Sequence, residues 1–112
     1  MRVITGTARG RRLNELKGCD TRPTTDKVKE GIFSAIQFEV EDARVLDLFA
    51  GTGQLGIEAL SRGASRAVFV ERRSDAVKLI RENLSLTGLE SGAQVVCGDA
   101  AAYLGALRER FD

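Results

Sequence analysis

The stretch Val45-Leu46-Asp47-Leu48-Phe49-Ala50-Gly51-Thr52-Gly53-Gln54-Leu55-Gly56-Ile57-Glu58 joins an apolar strand to a glycine loop and a helix, with a carboxylate set inside the strand. Gly51, Gly53 and Gly56 fit the G-x-G-x-x-G spacing, in which the first strand of a parallel sheet turns into a helix whose N-terminus receives a dinucleotide pyrophosphate. Asp47 argues against that ligand, because a carboxylate just before the loop repels a second anion. A ligand with a positive end fits better. S-adenosylmethionine brings a sulfonium and an ammonium for Asp47, and a carboxylate for the loop amides at the helix start. Flanked by Val45, Leu46, Leu48 and Phe49, Asp47 also carries a desolvation cost that only a partner offsets. The stretch therefore reads as a methyl-donor site rather than a nicotinamide site.

Two further acids fall where such a cofactor needs them. Arg66-Ala67-Val68-Phe69-Val70-Glu71 reads as a second buried strand, and the twenty positions from Gly51 to Glu71 match the usual spacing from glycine loop to ribose-binding acid. Gln94-Val95-Val96-Cys97-Gly98-Asp99 reads as a third strand, whose closing carboxylate suits the adenine amino group. Taken singly, each acid also fits a solvated strand end or a helix cap. All three in order at strand ends favour the cofactor. Ala50 and Thr52 within the loop and Ala100 after Asp99 complete the candidate set.

Outward from the loop, strands and helices alternate from Ala43 onward, the signature of a parallel α/β sheet. The expected elements are strand 44–49, a helix from Leu55 to Arg62 closed by Gly63, and strand 66–71. Then come a helix over 74–87 with Ser74 as N-cap and Gly88 as stop, strand 94–97, and a helix from about Ala100 to Arg110. Phe111-Asp112 reads as the opening of a fourth strand. Upstream, Val3 to Leu13 suggests a short hairpin that projects with its arginines outward. After Pro23, an amphipathic helix is expected from Lys27 to about Phe38, with Val28, Ile32, Phe33 and Ile36 on its buried face. Residues 1–42 thus form a basic hairpin-and-helix extension, and 43–112 the first half of a cofactor-binding domain.

The 112 residues are 43% hydrophobic and 29% charged, ordinary values for one globular domain. Apolar runs are too short to cross a membrane and the amino terminus lacks a secretory signal, so a cytoplasmic protein is expected. With no His, and with Cys19 and Cys97 isolated, a zinc site and a His-activated nucleophile are excluded. Cys97 reads as a core residue and Cys19 as a loop thiol. The net charge of +1 hides an asymmetry: residues 1–29 hold eight Lys or Arg against three acids, +5, which leaves −4 for the rest. Such an arm suits a polyanion, although charge alone also fits a solvated basic surface.

The chain resembles the RsmD-type 16S ribosomal RNA (guanine-N2) methyltransferase family along its whole length. The resemblance is carried by Met1-Arg2-Val3-Ile4-Thr5-Gly6 with Arg9-Gly10-Arg11-Arg12-Leu13, by Arg22-Pro23-Thr24-Thr25-Asp26-Lys27-Val28-Lys29-Glu30-Gly31-Ile32-Phe33, and by Asp47-Leu48-Phe49-Ala50-Gly51-Thr52-Gly53 with Gly56 and Glu58. It implies a Rossmann-like class I S-adenosylmethionine-dependent methyltransferase fold. It also implies a cofactor entrance lined by Arg22, Pro23 and Thr24, and RNA contact through Arg9, Arg11 and Arg12. The implied partner is ribosomal RNA or the small ribosomal subunit, bound by a monomer that needs neither metal nor membrane. The family's catalytic motif, Asn or Asp followed by Pro-Pro and an aromatic, ends its fourth strand, whereas Pro23 is the only proline here. No catalytic residue is therefore assigned, and the chain alone is expected to be inactive, with an open edge on its first strand. Alternatives are methylation of another amine, in DNA adenine or protein, or a catalytically silent cofactor- or RNA-binding fragment.

Overall fold

The computed structural model describes residues 2–15, 26–48, 50–107 and 110–112. Helix α1 (Asp26–Ala35) precedes the alternating run β1 (Arg44–Asp47), α2 (Gln54–Ser61), β2 (Arg66–Glu71), α3 (Ser74–Thr87), β3 (Ala93–Cys97) and α4 (Ala100–Gly105). The strands form one parallel sheet in the order β1-β2-β3, with Val45 opposite Ala67 and Phe69 opposite Val95. In β2, Ala67 to Val70 are fully buried, as expected of a parallel strand covered on both faces. Val45 and Leu46 of β1 are only half-buried. Beside β1, the Asp112 N–H donates to the Arg44 carbonyl and the Asp112 carboxylate accepts from the Arg44 N–H, both at 2.8 Å. Phe111-Asp112 thus lies beside β1, without strand structure of its own.

Several boundaries differ from expectation. β1 ends at Asp47, and α4 stops at Gly105, a residue that weakens helix propagation. Ser74 is the first helical residue of α3 and not its cap; the N-cap is Arg73, without a side-chain cap bond. The first turn carries Asp75, whose carboxyl is held below its usual range by a hydrogen bond from the Arg73 guanidinium. Gly88 ends α3 in a left-handed conformation, as the sequence implied. Cys97 is exposed rather than buried, and Cys19 lies outside the described residues.

The amino-terminal hairpin is present but packs instead of projecting. An antiparallel bridge joins Arg2 to Arg12, and Val3 exchanges hydrogen bonds with Gly10 and Arg11. Its inward residues, Val3, Ala8 and Leu13, join Ile57, Leu60, Phe69, Ile80 and Leu84 in one core. The loop wraps the end of α2. Thr7 N–H donates to the Ser61 carbonyl, the Ser61 hydroxyl donates to the Thr5 carbonyl, and Ala8 N–H donates to that hydroxyl. Gly6, at φ 93°, approaches so closely that a Cβ would stand 1.8 Å from the Ser61 carbonyl oxygen. The spacing Val3-Ala8-Leu13 gave no strand period, which is why the buried side escaped the sequence.

Helix α1 also turns a different face inward. Phe33 is buried, but Val28, Ile32 and Ile36 are exposed, and Lys29 is buried instead. Its ammonium donates to the Arg2 carbonyl at 2.7 Å and lies 3.5 Å from the Glu58 carboxylate; both side chains are fully buried. Glu58 further accepts from Ile4 N–H at 2.8 Å, Thr5 N–H at 3.1 Å and Arg62 Nε at 2.9 Å, while the Arg62 guanidinium lies over the Phe33 ring. Each carboxylate oxygen is thus met by two donors, which makes a buried charge tolerable. Glu58→Ala should destabilise the fold by about 3–5 kcal/mol, since it strands the Lys29 charge. Urea denaturation checks this, and Lys29→Met placed on top of Glu58→Ala should recover part of the loss.

Candidate functional site

Every candidate cofactor residue within the described segments falls at the carboxyl ends of the three parallel strands, where open α/β sheets receive ligands. Asp47 is the last residue of β1 and is half-buried. The chain then crosses toward β2, with Ala50 N–H donating to the Val70 carbonyl and Gly53 N–H to the Ala50 carbonyl. Arg22, Pro23 and Thr24 lie outside the described residues.

The three glycines serve three purposes. Gly51, at φ 56°, has open space where a Cβ would stand, so it needs glycine for its backbone and presents a bare face to the sheet edge. Gly53, at φ 82°, is backed by Ile80 and Ile57. Gly56 lies inside α2, where a Cβ would meet the Phe69 ring at 2.3 Å, so it sets how closely the helix lies on β2. Gly53 is the N-cap of α2 and no side chain caps the helix, which leaves its first N–H groups for an anion.

Glu71 closes β2 and its carboxylate reaches back to the loop. One oxygen accepts from Gly51 N–H at 3.0 Å and the other from Arg73 N–H at 2.9 Å. The Glu71 carbonyl accepts from Gly98 N–H, which brings the end of β3 alongside. Asp99 is the N-cap of α4, one carboxylate oxygen accepting from Ala101 and Ala102 N–H at 2.7 and 3.1 Å. The capping role is therefore real, and it leaves the second oxygen at the same edge; Ala100 opens α4 behind it. Glu71 thus joins the loop to the end of β3, its carboxylate held by Gly51 N–H and its carbonyl by Gly98 N–H, next to the strand that ends at Asp47.

Two residues were missed in the sequence. Gln54, the first residue of α2, is 6% exposed, and its side-chain oxygen has no hydrogen-bond partner. A buried acceptor left open beside a bare glycine backbone fits a ligand that brings a donor. Asn83 of α3 is fully buried and bonds the Thr52 carbonyl of the loop. Helical periodicity could mark position 83 as inward-facing, but not what it would meet. Among the RNA candidates, Arg9, Arg11 and Arg12 are all exposed, and Arg11 also donates to the Leu86 carbonyl at 3.5 Å. No cluster of His, Cys, Asp or Glu suited to a metal, and no helix long and apolar enough to cross a membrane, occurs among the described residues.

The sheet, its crossing helices and the glycine loop at the strand ends define a Rossmann-like methyltransferase architecture. The Escherichia coli structure described as "Putative methyltransferase yhhF" shares it, with a TM-score of 0.81 and 38% identity over 93% of this chain and 55% of that one. The chain belongs to the family described as "Conserved hypothetical protein 95", whose model matches residues 1–112. It is 49% identical over 110 residues to the Bacillus subtilis (strain 168) protein named "Putative rRNA methyltransferase YlbH", covering 98% of this chain and 60% of that protein. It is 42% identical over 106 residues to the Escherichia coli (strain K12) "Ribosomal RNA small subunit methyltransferase D", covering 93% and 52% respectively. The chain thus spans little more than half the length of these curated relatives.

Gln54→Met keeps the side-chain volume and removes the open acceptor. It should leave the urea midpoint of the ligand-free protein unchanged or raise stability by on the order of 1 kcal/mol. A clear drop would show that the Gln54 oxygen already serves the fold.

Proposed function

We propose that this chain carries the cofactor-holding half of an S-adenosylmethionine-dependent methyltransferase acting on a guanine exocyclic N2 of 16S ribosomal RNA in the small subunit. The observation that supports it best is the row of carboxylates at adjacent strand ends, Asp47, Glu71 and Asp99, with an uncapped helix and a bare glycine loop across the first. Residue types and placement fit the proposed cofactor end to end. Asp47 faces the cationic methionine end, and the α2 N-terminus with Gly51, Thr52 and Gly53 takes its carboxylate. Glu71 has lone pairs left on both oxygens for ribose hydroxyls, and the second oxygen of Asp99 for the adenine amine. Ala50 and Ala100 adjoin these groups in the chain, and the family resemblance adds Arg22, Pro23 and Thr24 to the set.

When bound, the sulfonium supplies an activated methyl group that a nucleophilic amine displaces in line. The chain's own contribution is alignment. Glu71 fixes the Gly51 amide, Ile80 and Ile57 back Gly53, and the fused hairpin sets the arginine arm relative to that edge. Holding reactants in such register contributes up to about 7–11 kcal/mol. A guanine amine reaches the edge only when its base is unstacked, which suits an RNA loop. Residues 1–42 act as the RNA-binding and lid extension on 43–112, and a ribosomal target places the protein in the cytoplasm. The relatives' names, and Arg9, Arg11 and Arg12 exposed on one arm, support RNA over other amine substrates.

Calorimetry should show binding of S-adenosylmethionine and no comparable binding of NAD. Asp47→Asn should weaken S-adenosylmethionine roughly ten- to a hundred-fold, the equivalent of a lost charged hydrogen bond of about 1.5–3 kcal/mol. Unchanged affinity would remove Asp47 from the site. Methyl transfer to small ribosomal subunits, compared with DNA, tests the substrate class in the full-length gene product.

If the arm grips phosphates, the affinity for 16S RNA should fall steeply with salt. Replacing Arg9, Arg11 and Arg12 together by alanine should flatten that dependence by about two to three log units per log unit of salt. Cofactor affinity measured without RNA should stay put.

A further inference from the structure

We propose that Asn83 is a positioning residue that couples occupancy of the cofactor loop to the placement of the arginine arm. The proposal rests on the reading of those two sites given above. The side chain is fully buried, and it makes three hydrogen bonds. Its oxygen accepts from Asn14 N–H at 2.7 Å, and its nitrogen donates to the Asn14 carbonyl at 3.1 Å and to the Thr52 carbonyl at 3.0 Å. Only a primary amide offers one acceptor and two donors in one plane, so the network fixes which atom is which.

The two segments it joins are the ones that the function needs in register. Thr52 stands between Gly51 and Gly53, both in left-handed conformations, in the loop assigned to the cofactor. Asn14 follows Arg12 by two residues and leads toward the stretch containing Arg22, Pro23 and Thr24. The strut between them is anchored, because Ala76, Val77, Leu79, Ile80 and Leu84 bury the same helix. Arg11 hangs on that helix too, through the Leu86 carbonyl. A ligand that fixes the Thr52 carbonyl therefore fixes the amide, and the amide fixes Asn14. No chain of intermediates is needed, since one planar group touches both sites. By linkage, the effect is reciprocal: whatever RNA gains from the cofactor, the cofactor gains from RNA.

A purely structural staple would lower stability without linking the two ligands. The test uses the full-length gene product, S-adenosylhomocysteine and a 16S RNA transcript. S-adenosylhomocysteine should tighten RNA binding about fivefold or more, and RNA should tighten S-adenosylhomocysteine by the same factor. Asn83→Asp, which keeps the acceptor and loses both donors, should bring that factor close to one. Arg9→Ala removes an exposed charge of the arm without touching Asn14 or the loop, and should weaken RNA while preserving the factor. A factor unchanged in Asn83→Asp overturns the proposal.

Should Asn83→Asp fail to fold, hydrogen exchange on the native protein decides. S-adenosylhomocysteine should raise protection of the Asn14 amide, which Asn83 holds, and not of the Ile4 amide, which Glu58 holds. Equal change at both, or change at neither, overturns the proposal. This readout needs no RNA, so an arm that binds none sinks only the RNA reading. Failure of S-adenosylhomocysteine to bind sinks the cofactor reading and this proposal with it.

Discussion

The buried carboxylate of Glu58 is the constraint on which the arrangement of this molecule depends. A charge with no access to water is stable only when donors surround it, and here they come from three places. Ile4 and Thr5 supply backbone N–H groups from the arm, Lys29 an ammonium from α1, and Arg62 a guanidinium from one turn along α2. The arm and α1 are therefore not appendages that happen to lie nearby. Withdrawing either would leave the carboxylate short of partners. Because Glu58 stands one turn into the helix that begins at the glycine loop, the same contact fixes the arm relative to the cofactor edge.

Close approach is the second organising constraint, and glycine makes it possible in two unrelated places. Gly56 lets α2 settle onto the Phe69 ring, which sets the height of the helix N-terminus above the strand ends. Gly6 lets the arm lie against the Ser61 backbone at the other end of the same helix. Helix α2 is thus gripped at both ends, by the sheet and by the arm. The segment that leads into it, Gly51 to Gly53, is backed by Ile80 at Gly53 and held by the Glu71 carboxylate at Gly51. Preorganisation of this kind lowers what a ligand must spend in ordering its site.

Charge is segregated along the same lines. Carboxylates gather at the carboxyl ends of the strands, where the cationic end of the proposed cofactor would lie. Arginines of the arm face outward from the opposite side of the buried hairpin contacts, with Val3, Ala8 and Leu13 beneath them. One arm therefore has an apolar underside that welds it to the core and an exposed basic upper side.

The sequence by itself determined the parallel strands 66–71 and 94–97, the helix ending at Gly88 and the glycine loop, because these rest on local rules: apolar runs, a fixed glycine spacing, a C-terminal glycine stop. It also placed Glu71 and Asp99 at strand ends and Asp47 two residues short of one, and hence near one edge once the sheet is parallel. Tertiary structure alone decided which face of α1 is buried. Periodicity favoured Val28, Ile32 and Ile36, but the Glu58 carboxylate across the interface drew in Lys29, whose partner lies 29 positions away in the chain. The same holds for the packed hairpin, for the Glu71 bond to Gly51, for the open Gln54 oxygen and for the Asn83 amide between Asn14 and Thr52. Each is a polar side chain whose meaning comes from a partner distant in sequence, and no local pattern records such a partner.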